Sequence, residues 1–469
     1  MVYNGTTMWY NSDTVSCCVH MFYAEKKRWI FLGIQNPLAR WVLKSCAKLV
    51  EFVRNIVDSE EFLARHRLAP SHFTRHRKLP FSYVIAFLLN QLRASLQTEL
   101  DRFFKAIESA AVPVRRVSDS ALCQARKKFS HRAFVELYNR SVKWFYCHAD
   151  IKRWKGFRLI AFDGSTCRLP NTESNRKHFG EATGDIGDPV AMARVSWAFD
   201  VLNDIILDAR IEPYQEGERA MALKHLDSVG PDALLLCDRG YVATWFVHAL
   251  QAQQRHFCCR VSPDQYTATK AFRDSGRTED IILLPPSRFS RNMYEMLGLP
   301  FKAIRVRIVR VSVPVGEDIF LLTSLPHPVE DFEDLYRNRW PVEEQYKLVK
   351  CRIEIERFSG LSAESVYQDF HATILLANLT SMLSFSARRE VEENQGPRRH
   401  PRRMNWTQVF GQIKDSIVLL LLRESIDSIL DALRRLFLSS YQTFRPGRKF
   451  PRRKRRVRRI FHMAYKPAY

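Results

Sequence analysis

No C-x-x-C pair occurs among the ten cysteines, so the spacing that opens most structural zinc sites is missing. The adjacent pairs Cys17/Cys18 and Cys258/Cys259 read as free thiols of a reducing compartment. No stretch reaches the about 18 apolar residues of a membrane helix, and the N-terminus lacks a basic start followed by an apolar run. The expectation is a chain that stays in the cytoplasm, without a membrane partner. There is no G-x-G-x-x-G or Walker-type loop and no repeat at a solenoid period, which disfavours nucleotide hydrolysis and solenoid architecture. Acid is in deficit too: 50 Asp and Glu stand against 73 Lys and Arg, a net charge of +23.

An excess of that size suits a polyanion, because Lys and Arg neutralise phosphates. Nucleic acid fits it, and membrane phosphates would satisfy the charge equally. Hydrophobic residues make up 46% of the 469, enough to bury a core, and the length calls for more than one structural unit.

Residues 1–55 show neither helical nor strand periodicity and read as a poorly defined extension. From 56 to 150 the pattern is helical, as in SYVIAFLLNQLRASLQTELDRFFKAI, and Ser118, Asp119 and Ser120 offer N-caps to a helix carrying the basic cluster Arg126, Lys127 and Lys128. This predicts a small helical domain, with the cluster either touching DNA or forming a solvated face. Residues 151–389 read as an α/β domain. Its β-rich runs FRLIAFD, ARVSWAFDVL, DIILDARIEP, DALLLCD and HFCCRVS alternate with the helical GERAMALKHLDSV and TWFVHALQAQQ. Within it, about 263–330 looks like a β-rich insertion with little helical signal. Residues 390–469 form a helical C-terminal region whose basic tail, RPGRKFPRRKRRVRRIFHMAYK, suits phosphates.

Two apolar runs end in Asp followed by a glycine turn: FRLIAFDGS at Asp163 and DALLLCDRGY at Asp238. Carboxylates gathered at one sheet edge repel unless a cation joins them, and Mg²⁺ favours a few carboxylates with water and phosphate oxygens. Taken singly, an Asp beside a Gly is a common turn former. In DLYRNRWPVEEQYKLVK, Tyr336, Arg339, Glu343 and Lys350 are spaced Y-(2)-R-(3)-E-(6)-K, which keeps them near one helix face; the bland reading is a surface ladder such as Glu343 with Lys347. Pro341 predicts that a helix starts or kinks there.

These three blocks together resemble the DDE-type insertion-sequence transposases, specifically insertion-sequence family four with its Tyr-Arg-Glu-Lys signature. The acids lie 75 (238 − 163) and 105 (343 − 238) residues apart, and the longer gap suits the β-rich insertion which that family places before its glutamate. The resemblance runs from about Phe73 to the final AYK. It implies a ribonuclease H-like catalytic core flanked by a helical N-terminal DNA-binding domain and a helical C-terminal region. It implies that Asp163, Asp238 and Glu343 hold two Mg²⁺ ions, with Mn²⁺ as a substitute, for DNA cleavage and strand transfer. Tyr336, Arg339 and Lys350 would contact terminal phosphates, with Arg239 a weaker candidate, and Trp340 would pack against a base or in the core. The implied partners are double-stranded DNA, at element ends and target, and a second copy on DNA, in a bacterial nucleoid setting. A ribonuclease H-like nuclease and a catalytically silent DNA-binding protein remain as alternatives. Cys167, Cys237, His178 and His225 read as structural.

Overall fold

The computed structural model describes residues 37–90, 94–183, 189–312, 318–337, 356, 358–393 and 400–443. Two compact units divide the chain: Met1–Lys44, of which only the start of the helix Pro37–Val57 is described, and Ser45–Tyr469. The boundary expected at residue 55 falls inside that helix, because Leu49, Val53 and Ile56 are apolar at helical spacing and buried.

A mixed α/β architecture is built on one nine-stranded sheet: β1 Arg158–Arg168, β2 Glu181–Ala182, β3 Val190–Asp200, β4 Ile205–Pro213, β5 Ala233–Cys237, β6 His256–Val261, β7 Glu279–Leu284, β8 Ile304–Val311 and β9 Ile319–Thr323. Its order is β2-β3-β1-β5-β6-β9-β8-β7, with β4 also on β3. Among the described residues only β1, β5 and β6 are mutually parallel; β5 is apolar and buried throughout, as a central strand covered on both faces must be. The stretch expected to be a β-rich insertion extends the sheet antiparallel through β7, β8 and β9, and it also folds the helices Thr267–Asp274 and Arg291–Met296, which the sequence pattern did not signal.

The long helix Ala363–Glu393 packs against β4 and against the helix Arg132–His148 from the N-terminal side. Its Asn378 amide donates to the Ile206 carbonyl and accepts from the Ile206 N–H, both at 2.9 Å, beside the β-bulge at Ala198/Phe199. Ile206 is paired with Phe199 on β3, and among the described residues β4 has no strand on its other side, so the buried amide satisfies backbone groups on that free edge. By length and composition this helix could cross a membrane, contrary to the expectation that no stretch would qualify, yet 89% of its apolar window is buried inside the protein. It serves as a core helix. The helices Trp406–Leu422 and Asp427–Ser439 complete the C-terminal layer, the first against the helix Phe81–Leu89.

Candidate active site

Strand β1 pairs in parallel with β5 at a constant offset, Arg158 opposite Ala233 and Ala161 opposite Leu236. Continuing that offset sets Asp163 level with Asp238, one residue beyond the end of β5. The separation of 75 residues between the acids is therefore the register of the two strands. Leu159 to Phe162 and all of β5 are buried, whereas Asp163 and Asp238 are half-exposed, so both acids stand where the strands leave the core.

The expected break at Gly164 does not occur. β1 runs on to Arg168, with Asp163 opposite Trp197 and Gly164 opposite Ser196 on β3. Glycine answers a packing need here: a Cβ at 164 would lie 3.2 Å from Cγ of Glu218 and 3.5 Å from the Tyr241 hydroxyl. After Asp238 the chain does turn, through the Tyr241 N–H to Asp238 carbonyl bond at 2.9 Å, and Arg219 Nε clamps that turn by donating to the Gly240 carbonyl at 3.0 Å. Each acid accepts the next residue's amide, Gly164 N–H to Asp163 Oδ1 at 2.9 Å and Arg239 N–H to Asp238 Oδ1 at 2.7 Å.

Sequence reasoning missed two supporting groups, Glu218 and Ser196, and gave a third, His225, only as structural. Glu218 opens the helix Glu218–Lys224, leans over Gly164 and accepts from Arg194 at 2.9 Å. Ser196, fully buried, donates to the Asp163 carbonyl at 3.2 Å and meets His225 Nε2 at 2.9 Å. His225, in a short 3-10 turn after that helix, meets Asp208 Oδ2 through Nδ1 at 2.8 Å, and Asp208 also accepts from Tyr138 at 3.0 Å and Arg210 at 2.9 Å. Burial pushes the Asp208 carboxyl up, but the bonds and charges of His225, Arg210 and Tyr138 outweigh that and hold it below its usual value. Ser196, His225 and Asp208 have hydrogen-bond connectivity like that of a hydrolytic triad, but Ser196 and His225 are shut off from solvent. Their role is to hold the β1 backbone at Asp163. The expectation that His225 is structural fits this place.

Burial also drives the Cys258 thiol well up, and Cys259, facing Cys237 across β5 and β6, rises through its bond to Cys237 and its own burial. Cys167 and Cys237 are each 1% exposed and pack as small core residues. His178 contacts the Tyr367 hydroxyl at 3.1 Å, away from the acids in sequence and pairing.

Of the remaining expected residues, Arg239 is exposed beside Asp238. Tyr336 lies on the helix Asp331–Arg337, its side chain outside the described residues, as are Arg339, Trp340, Glu343 and Lys350. Among the described residues no three His, Cys, Asp or Glu side chains cluster to hold a metal. Arg126 needs correction as a DNA contact. Only 4% exposed, it donates to Asp369 at 3.0 Å, Gln368 at 3.0 Å and Ser359 at 2.8 Å, because Leu122, Ala125 and Arg126 share the inward helix face. Lys127 is exposed and Lys128 half-buried.

The family model of the transposase DDE domain matches residues 154–379, which contain both acids. Over that segment the chain is similar to a DDE transposase domain. It is similar to the transposase InsG for insertion sequence element IS4 of Escherichia coli (strain K12), 25% identical over 274 residues that cover 56% of this chain and 60% of that protein. A solved piggyBac transposase synaptic complex with hairpin DNA overlays it with a TM-score of 0.43 at 10% identity, covering 86% of each chain. The matched segment begins just before β1 and ends within the helix Ala363–Glu393, so the chain carries helices on both sides of it.

Proposed function

We propose that this chain is a DDE transposase that binds the ends of an insertion sequence, cuts the DNA there and joins the freed end to a target, in a Mg²⁺-dependent cut-and-paste reaction. The observation that carries the reading is the matched register of Asp163 and Asp238 on neighbouring parallel strands inside the family segment. Adjacent strands lie about 4.8 Å apart, so carboxylates at equal register stand side by side. The order β4-β3-β1-β5-β6, three strands parallel and two antiparallel, supports a ribonuclease H-like core.

The donor set fits a hard divalent cation: two half-exposed carboxylates at one sheet edge, with Glu343 as the third, suit Mg²⁺ or its substitute Mn²⁺. Two such ions, when bound, supply activation of the attacking oxygen and stabilisation of the leaving one. The chain's own residues then orient the DNA. Tyr336, Arg339, Lys350 and Arg239 hold phosphates, and Trp340 packs against a base. Water first attacks the phosphodiester at the element end, and the 3′ hydroxyl released there then attacks a target phosphodiester, displacing its 3′ oxygen. One phosphodiester is exchanged for another in that second step, so no nucleotide triphosphate is consumed. Two copies pair the two ends.

The test incubates purified protein with Mg²⁺ and linear DNA bearing the native element ends. Strand transfer that disappears in Asp163→Ala supports the proposal. Nicking without joining indicates a nuclease, and binding without cleavage a silent DNA-binding protein; either result overturns it.

A further inference from the structure

The arginines of the N-terminal helices are mostly neutralised at home. Arg65 pairs with Glu61 and Glu136, Arg115 with Asp101, Arg116 with Glu108 and Arg140 with Glu136. One segment breaks that habit. In the loop between the helices Glu60–His66 and Phe81–Leu89, Arg75, His76, Arg77 and Lys78 are four consecutive exposed residues, and among the described residues none has an ion pair.

This loop is held in place. Phe73 takes a positive φ of 60°, a conformation rarely tolerated by a bulky residue, and its ring packs 5.4 Å from Phe81 and 6.4 Å from Phe129. The Leu68 N–H donates to the Lys128 carbonyl at 2.8 Å, His72 Nδ1 meets the same carbonyl at 3.0 Å, and Arg67 bridges Phe129. The backbone that presents the loop is thus stitched to the segment carrying exposed Lys127. A groove of about 520 Å³ runs beside it, lined by Arg75, His76 and Arg77 but also by Asp58 and Glu60. Its interior is of mixed charge, so an anion is served by the exposed rim.

We infer that Arg75, Arg77, Lys78 and Lys127 form one surface that grips the sugar-phosphate backbone of duplex DNA without reading sequence. Spare cations on a preordered loop lose little entropy on meeting phosphates, and each contact releases counterions. This rests on the DNA reading above and moves the helical domain's contact from buried Arg126 to the loop.

The experiment measures anisotropy of a labelled linear duplex of arbitrary sequence against salt, for the full chain and for the variant Arg75→Ala, Arg77→Ala, Lys78→Ala, Lys127→Ala. A control removes as many charges from the segment after β6: Lys270→Ala, Arg277→Ala, Arg288→Ala, Arg291→Ala. The loop variant should bind at least about tenfold more weakly, with the log–log salt slope shallower by roughly one per cation that meets a phosphate, and the control should stay near wild type. A loop variant that matches wild type, or a control that loses as much, overturns the inference and leaves the function intact. Wild-type protein that does not bind duplex at all overturns the DNA reading itself. The variant's melting temperature should match wild type, and the charge-keeping variant Arg75→Lys, Arg77→Lys, Lys78→Arg should retain binding.

Discussion

At the scale of single residues, the site depends on groups that never touch a substrate. Ser196 holds the Asp163 carbonyl and is itself held by His225 and Asp208. Partners of this outer kind are worth about 10–100-fold in metal affinity or activity. Ser196→Ala should therefore raise the Mg²⁺ concentration needed for cleavage by about that factor, leave duplex binding unchanged, and be rescued by Ser196→Thr; unchanged metal dependence would remove Ser196 from the site's support. Gly164 makes a second test. Its Cβ would meet Glu218 at 3.2 Å, so Gly164→Val should cost about 1–3 kcal/mol through overpacking, read from denaturant unfolding, and less in a Glu218→Ala background. The two aspartates were legible in the sequence because an apolar run followed by Asp marks a strand leaving the core. Ser196 and Glu218 were not, since they reach Asp163 and Gly164 only through β3 and the helix packed on it, and His225 was legible as structural but not as the partner of Ser196.

Elements explain both the success and the failure of the pattern reading. Strands β4, β5 and β6 fall within the runs read as β-rich and β1 and β3 overlap theirs, because buried strands are rich in apolar residues; β1 runs on past its apolar run to Arg168. Arg126 was misread because a basic cluster does not say which face turns inward, although Leu122 and Ala125 at helical spacing carry that information. Arg126→Met leaves the buried Gln368 carbonyl without its donor and half-buried Asp369 with only Ser359 among the described residues, so it should cost about 1–3 kcal/mol of stability without a specific loss of DNA affinity in the folded protein. The long helix Ala363–Glu393 makes stability depend on pH as well. Burial, with His131 stacked 5.6 Å away, pushes His371 down to about 3, so the native state refuses a proton that the unfolded chain accepts near pH 6.5. Its contribution is intact above that value and is lost as pH falls from about 6.5 towards 3. The melting temperature should drop across that window, and His371→Leu should flatten the drop; an equal slope in the variant would assign the loss to other groups.

For the whole molecule, one compact unit from Ser45 onward joins N-terminal helices, sheet and C-terminal helices, tied by the helix Ala363–Glu393. On the proposed reading, DNA gripped by the N-terminal loop and cut at the sheet edge is handled by one body. Unfolding of Ser45–Tyr469 should accordingly show a single cooperative transition by far-ultraviolet and near-ultraviolet dichroism, where separate transitions would point to independent domains. The central claim is that Asp163 and Asp238 share a divalent cation at that edge. It is tested most directly by titrating Mn²⁺ into the full chain and following the free ion by electron paramagnetic resonance, for wild type, Asp163→Asn and Asp238→Asn. Each substitution should weaken binding by at least about tenfold, since outer partners alone are worth that much. Mn²⁺ bound equally well by wild type and both variants would contradict it.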